Sequence, residues 1–134
     1  MLSVVILIGG LAMEAKTTSK KKSSSSSKTL SVKSFIGSSS RGYNVKLNTS
    51  ALTSAGYKKS GSKWVSGSGS SVTYSSNEGI TEMTFRFSSS SEREKFVKSG
   101  SSLFSYDNGV YTAMSAHDCV VMEVNGNTVV LYDN

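Results

Sequence analysis

The stretch Ile80–Leu103 constrains the fold more than any other part of the chain, because signals for a strand, a helix start and a helix stop follow one another in it. Apolar side chains recur at every second position through Met83, Phe85 and Phe87, with polar residues between them. This period of two predicts a strand with one buried face and one wet face. A serine run follows directly, which is typical of a helix start.

The helix in this stretch is expected to begin at Ser91. Ser91 and Glu94 have the spacing of a capping box, in which the serine hydroxyl accepts a bond from a first-turn amide. Glu92 adds a negative charge at the positive end of the helix. Phe96 supplies an apolar side chain for the core, and Gly100 is the residue type that most easily takes the left-handed conformation that ends a helix.

The segment before this stretch predicts two strands and a second short helix. Leu30–Ile36 is expected to form a strand, and Tyr43–Leu47 alternates apolar and polar residues more clearly. Asn48–Ser50 offers capping side chains for a helix that contains Leu52 and stops at Gly56.

Hairpin turns are predicted at three places. Lys63–Val65 and Val72–Tyr74 flank a glycine-serine loop and indicate a loose hairpin. Asp107–Gly109 can supply the positive-φ positions of a second hairpin, and Asn125–Gly126 is the strongest two-residue hairpin signal in the chain.

The turn at Asn125–Gly126 also predicts a register for the last two strands. With these two residues at the centre of the turn, Met122 lies opposite Val129. One face of the hairpin then carries the apolar residues Val120, Met122, Val124, Val129 and Leu131. The other face is mixed and carries Cys119, Val121, Glu123, Thr128, Val130 and Tyr132.

Together these patterns predict a single α+β domain over residues 29–134. We expect a largely antiparallel sheet of six to eight strands, two short helices on one face and a C-terminal β-meander. Cys119 is the only cysteine, so the chain has no internal disulfide and no multi-cysteine zinc site. Proline is absent, so the turns depend on glycine, asparagine and aspartate.

Residues 1–28 differ in composition from this domain. Leu2–Ala12 is an apolar run that is too short to cross a bilayer as a helix but has the length of a signal-peptide core. We therefore expect residues 1–15 to be a signal peptide and the protein to be exported, either to the periplasm or out of the cell. No basic residue precedes the run, and the alternative is an additional N-terminal strand. Residues 16–28, rich in lysine and serine, are expected to be a disordered tether.

The distribution of charge argues against a nucleic-acid-binding fold. The formal net charge is +6, but five of the fifteen basic residues lie in residues 1–28. From Thr29 onward there are ten Lys and Arg against eight Asp and Glu, a difference of +2. Domains that bind nucleic acid concentrate basic residues on a folded face. Binding to nucleic acid or another polyanion is therefore expected only through the basic tail.

His117 and Cys119 form the only cluster with the residue types of nucleophilic catalysis. An imidazole can accept the proton of a thiol, and alternate positions on a strand point the same way. A cysteine-dependent enzyme that uses Cys119 and His117 is therefore one alternative. A polar turn followed by a small apolar cysteine explains the same residues without catalysis. The sequence contains no phosphate loop, metal-ligand spacing or cofactor motif.

Tyr57, Trp64 and Tyr74 surround the first predicted hairpin, among serine and lysine neighbours. Aromatic rings in such surroundings can stack on a sugar ring or a peptide and bond to its polar edge, and ordinary packing of strand aromatics is the other interpretation. We therefore predict a non-catalytic binding or accessory domain, with these three residues as its ligand-binding surface. A protein or a glycan is the expected partner, no cofactor is expected, and the sequence indicates no oligomeric state.

Overall fold

The computed structural model describes residues Thr29–Asp133. The expected signal peptide, residues 1–15, and the expected tether, residues 16–28, lie outside the described residues. Within the described part of the chain, no helix is both long enough and apolar enough to cross a bilayer.

Ten strands, two α-helices and one 3₁₀ helix are found in residues 29–133. In chain order they are η1 (Val32–Phe35), β1 (Ile36–Ser39), β2 (Gly42–Val45), α1 (Thr49–Ser54), β3 (Lys58–Ser60), β4 (Lys63–Val65), β5 (Ser71–Asn77), β6 (Ile80–Arg86), α2 (Ser90–Lys98), β7 (Ser105–Asp107), β8 (Val110–Ser115), β9 (Asp118–Asn125) and β10 (Thr128–Asp133).

All ten strands belong to one sheet that curls into a half-barrel. The main path of paired strands runs β1-β2-β9-β10-β6-β5-β4-β3. The hairpin β7–β8 lies off this path and joins the sheet through the pairing of β8 with β9. The prediction of six to eight strands was therefore too low, because even the three-residue strands β3, β4 and β7 pair with their neighbours. The sheet is also mixed, since β2 runs parallel to β9 at the bridge between Gly42 and Asp118.

Gly42 makes the parallel contact possible. Its φ is +132°, and a Cβ at this buried position would collide with the backbone carbonyl of Ser115. Asp133 secures the same junction, because its carboxylate accepts the amide of Val45 at 3.0 Å and the amide of Thr81 at 2.9 Å. The ends of β2, β6 and β10 are therefore held together by one side chain.

Strand β6 confirms the predicted alternation. Met83 and Phe85 are fully buried, whereas Glu82 is exposed. Leu131 and Val129 of β10 lie directly opposite Met83 and Phe85 and are buried on the same side. We call this side of the sheet the inner face, and it carries the core. Each fully buried side chain of this kind contributes about 1.5–3 kcal/mol.

The hairpin β9–β10 has the predicted faces but not the predicted register. Asn125 pairs with Thr128, so the turn is centred one position later, on Gly126 and the residue after it. Gly126 has a φ of +61°, which a glycine at the first central position allows. Met122 consequently lies opposite Leu131 and not, as predicted, opposite Val129. A slip of two residues keeps every side chain on its face, because the side-chain period of a strand is two.

Helix α2 begins earlier than the capping box predicted. Ser89, not Ser91, is the N-cap, and its hydroxyl accepts the amide of Glu92 at 3.1 Å. Glu94 instead forms an exposed ion pair with Lys98 at 3.4 Å. The assignment of Ser91 was wrong because four successive serines offer the same capping chemistry, and the packing of the helix selects one of them.

Packing on the inner face explains this helix start. Phe96 is fully buried, with its ring centroid 4.5 Å from that of Phe85 and 5.2 Å from that of Phe87. The helix ends at Lys98, before Gly100 as predicted, but Gly100 does not have the left-handed conformation expected of it. A Cβ at this position would collide with the Val32 side chain, so close packing is what requires the glycine. Helix α1 contributes Leu52 to the same core.

Helix α1 confirms the predicted cap and stop. The Asn48 side chain accepts the amide of Ala51 at 3.0 Å, and Gly56 follows the helix with a φ of +91°. This left-handed residue turns the chain towards Tyr57, whose amide donates to the Leu52 carbonyl at 2.9 Å.

The predicted strand at Leu30–Ile36 is mostly a helical turn. A 3₁₀ helix has three residues per turn, so Val32 and Phe35 of η1, which are three positions apart, point to the same side. Both side chains are fully buried. The Phe35 ring packs edge-on against Phe85 at 5.2 Å. A strand would have sent these two side chains to opposite faces, which explains why the helical turn is preferred.

Candidate functional site

Tyr57, Trp64 and Tyr74 lie on the inner face of one wing of the sheet, formed by β3, β4 and the start of β5. Lys59 lies opposite Trp64, and Trp64 lies opposite Val72. Residues two positions apart share a face, so Tyr57 and Tyr74 are diagonal neighbours of Trp64 on its two sides. We call these three residues the aromatic row.

Exposure increases along the aromatic row. Tyr57 is only 4% exposed, Trp64 is half-buried and Tyr74 is 39% exposed. Trp64 and Tyr74 therefore keep ring surface available for a ligand, whereas Tyr57 forms part of a wall. The structure thus brings all three predicted residues to one face but gives them different roles.

A lysine lies against the middle member of the row. The Nζ atom of Lys59 is 5.9 Å from the centroid of the Trp64 ring. At this distance a cation is attracted by the negative face of an indole, by about 0.5–1 kcal/mol at an exposed site. The ring surface of Trp64 is therefore bordered by a positive charge.

A cavity of about 420 Å³ borders the row at its Tyr57 end. Its volume falls within the range of about 300–1,000 Å³ that is usual for small-ligand sites. The lining combines apolar with polar side chains, and includes Leu30, Ala55, Tyr57, Phe87, Ser66, Ser68, Glu92 and Lys95. A ligand with both an apolar face and hydroxyl groups matches such a lining.

Glu92 organises the polar side of this cavity. Its Oε1 atom accepts the hydroxyl of Ser70 at 2.7 Å and that of Ser88 at 2.8 Å, and Ser68 lies 3.4 Å from both carboxylate oxygens. The Ser88 amide in turn donates to the Ser70 hydroxyl at 3.0 Å. The first turn of α2 is thereby tied to the β4–β5 loop and to the end of β6.

The hydroxyl groups around Glu92 hold it in its charged form. Partial burial by itself raises the pKa of Glu92, but bonds from Ser70, Ser88 and Ser68 outweigh it and lower the pKa below the ordinary value. The cavity therefore contains a carboxylate, not a carboxylic acid, at neutral pH.

The pKa of Tyr57 is shifted in the opposite direction to that of Glu92. Burial raises the pKa of Tyr57, and the negative charge of Glu92 raises it further, while the hydroxyls of Ser70 and Ser66 only partly oppose this. The phenol therefore stays protonated at neutral pH, and its hydroxyl can donate a hydrogen bond.

His117 and Cys119 are placed on two different elements. His117 is exposed in the β8–β9 turn, where Ala116 has a φ of +54°. Cys119 is half-buried on β9, directly opposite Met114. No hydrogen bond joins His117 to Cys119 in the part of the chain that the structure describes. The shared strand on which the catalytic interpretation rested therefore does not extend to His117.

A second cavity, of about 390 Å³, lies near the β2–β9 bridge. Its charged groups are already engaged, because Arg41 Nε lies 3.2 Å from Asp118 and the Asp133 carboxylate accepts two backbone amides. Across residues 29–133, no three His, Cys, Asp or Glu side chains come together to hold a metal ion.

Two residues of the site were not recognised from sequence. The sequence marks Glu92 only as an acidic residue near a helix start, and Ser70 only as one serine of a glycine-serine loop. The two are 22 positions apart and meet because the hairpin β5–β6 returns the chain beside that loop. No local pattern indicates such a contact.

Comparison with known proteins identifies no family for this chain. No protein-family model, curated protein or solved structure matches the chain significantly.

Proposed function

We propose that this domain is a non-catalytic module that binds a saccharide on the aromatic row and in the adjoining cavity. The observation that carries the proposal is the partly exposed pair Trp64 and Tyr74 on the inner face, in a row whose Tyr57 end borders the 420 Å³ cavity. No catalytic group is required for this role.

The chemistry of the surface matches that of a sugar. The C–H face of a pyranose ring is apolar and packs on an aromatic face, while its hydroxyls need donors and acceptors at the ring edge. Ser66 and Ser68, whose hydroxyls are 2.9 Å apart, and the hydroxyl of Tyr57 supply such groups at the cavity. An oligosaccharide can therefore stack on Trp64 and extend its hydroxyls towards Glu92.

The single tryptophan gives a direct test, because Trp64 is the only one in the chain. Titration with a panel of neutral and acidic oligosaccharides is expected to change its fluorescence for at least one of them. Tyr74→Ala should weaken that binding by about tenfold, since stacking surface is lost. Tyr106→Ala is the matched control, because Tyr106 is an exposed tyrosine on β7, at a distant edge of the sheet.

Two outcomes would contradict the proposal. The first is no fluorescence change with any saccharide, while the protein is shown to be folded by circular dichroism. The second is equal weakening by Tyr74→Ala and Tyr106→Ala. A change produced only by peptides or by another protein would replace the saccharide with a protein partner.

We also propose that the protein is exported, with loss of the leader. The apolar run Leu2–Ala12 and the lysine-serine segment after it support this. Mass spectrometry of the native protein is expected to find a new N-terminus between Met13 and Lys16, in a periplasmic or extracellular fraction. Intact Met1 in a cytoplasmic fraction would contradict export and favour an additional N-terminal strand.

A further inference from the structure

The chain segment that carries the aromatic row has charged side chains of one sign only. From Tyr57 to Asn77 the chain contains three lysines and no aspartate or glutamate. Lys58, Lys59 and Lys63 are all exposed, and none forms an ion pair with another described residue. This segment therefore carries three exposed lysines within a described domain whose net charge is close to neutral.

Only one of these lysines shares a face with the aromatic row. Lys59 lies opposite Trp64 on the inner face, and its Nζ is 5.9 Å from the ring centroid. Lys58 and Lys63 occupy the alternate positions and therefore point to the outer face. Of these three lysines, Lys59 is the one that a ligand on the row would meet.

The position of Lys59 over the Trp64 ring discriminates between ligands. A neutral sugar that stacks on Trp64 must displace the ammonium and gains no charge interaction in return. A sugar with a carboxylate or sulfate can stack at the ring and pair with the same ammonium, which is a charge-assisted contact. The arrangement therefore favours an acidic sugar.

The opposite end of the site also orients such a ligand. Glu92, held as a carboxylate, lines the cavity at the Tyr57 end of the row together with Lys95, so the two charges offset each other there while the carboxylate accepts hydroxyl donors. The acidic group is therefore directed to Lys59, and a hydroxyl-bearing end is directed to the cavity.

We infer that the ligand of the aromatic row is an anionic saccharide, with its carboxylate or sulfate bound by Lys59. This inference rests on the proposed saccharide-binding function and names the substrate class for the same surface. A neutral hydroxyl-bearing end occupies the cavity beside Glu92.

A matched pair of probes tests the charge alone: an oligogalacturonate and its fully methyl-esterified form, which has the same rings without the negative charges. Titrations followed by Trp64 fluorescence in about 50 mM salt are expected to show about tenfold tighter binding of the acid, and the difference should shrink in about 500 mM salt. Lys59→Gln should remove most of the difference between the two probes. Lys63→Gln, on the outer face of the same hairpin, should leave it within about twofold.

The outcomes separate the inference from the function on which it rests. Equal binding of acid and ester, unaffected by Lys59→Gln, would overturn the anionic class and leave saccharide binding standing. Absence of binding by these probes and by the wider saccharide panel would overturn both. Tighter binding of a single-stranded oligonucleotide, with the same dependence on Lys59, would replace the saccharide by nucleic acid. Denaturation midpoints of both variants close to that of the unaltered protein will show that the differences arise at the surface.

Discussion

The centre of the sheet and the β3–β4 wing follow the same alternating pattern, yet they end in different states. At the centre, Phe85 and its neighbours on the inner face are fully buried, because Phe96 of helix α2 covers them. On the wing, Trp64 belongs to the same face but is only half-buried. Alternation thus sets which face a side chain takes, and the elements packed above it decide whether that face becomes core or stays partly exposed.

Substitutions in the two regions are expected to lower the free energy of unfolding by different amounts. Phe85→Ala should lower the free energy of unfolding by about 3–5 kcal/mol, because it opens a cavity among packed rings. Trp64→Ala should cost less, about 1–3 kcal/mol, because Trp64 packs against the edge of the core and part of its side chain is already in contact with water. Chemical denaturation followed by circular dichroism measures both. Similar losses for the two variants would show that the wing is part of the core and not a free surface.

A smaller effect tests the element that covers the centre. Ser89→Ala should destabilise the protein by about 0.5–2 kcal/mol, because a first-turn amide of α2 loses its acceptor. Ser91→Ala is the matched control and should stay within about 0.5 kcal/mol. If Ser91→Ala produced the larger loss in the same denaturation assay, the helix would begin where the capping box placed it.

The smallest expected effect concerns the junction between the two regions. Because the pKa of Glu92 is lowered in the folded protein, its stabilising contribution is present in full above its ordinary pKa of 4.5 and is lost as the pH falls through the lowered pKa. Glu92→Gln should therefore flatten this part of the stability profile. Urea denaturation of both proteins from neutral to acid pH measures the difference, and parallel profiles would show that the serine hydroxyls do not hold the carboxylate.

Local features of this protein could be predicted from its sequence. Alternation placed Met83 and Phe85 on the buried face, asparagine and glycine marked the hairpin turns, and Gly56 marked where helix α1 stops. These features depend on the backbone preferences and side-chain period of a few neighbouring residues. They are therefore readable from a short stretch of chain.

Where the sequence allowed several local arrangements, tertiary packing selected one of them. It selected Ser89 among four serines, shifted the β9–β10 register by two residues, and turned Val32–Phe35 into a helical turn under the sheet. The packing of apolar side chains that are remote in sequence makes this selection.

The candidate site belongs to this second group. Glu92 and Ser70 meet across 22 positions, and Lys59 reaches Trp64 only because β3 and β4 pair in one particular register. The residue types of the aromatic row were visible in the sequence, but their unequal exposure and the position of Lys59 against the Trp64 ring were not. Exposure depends on which elements cover a strand, and that is a property of the whole fold.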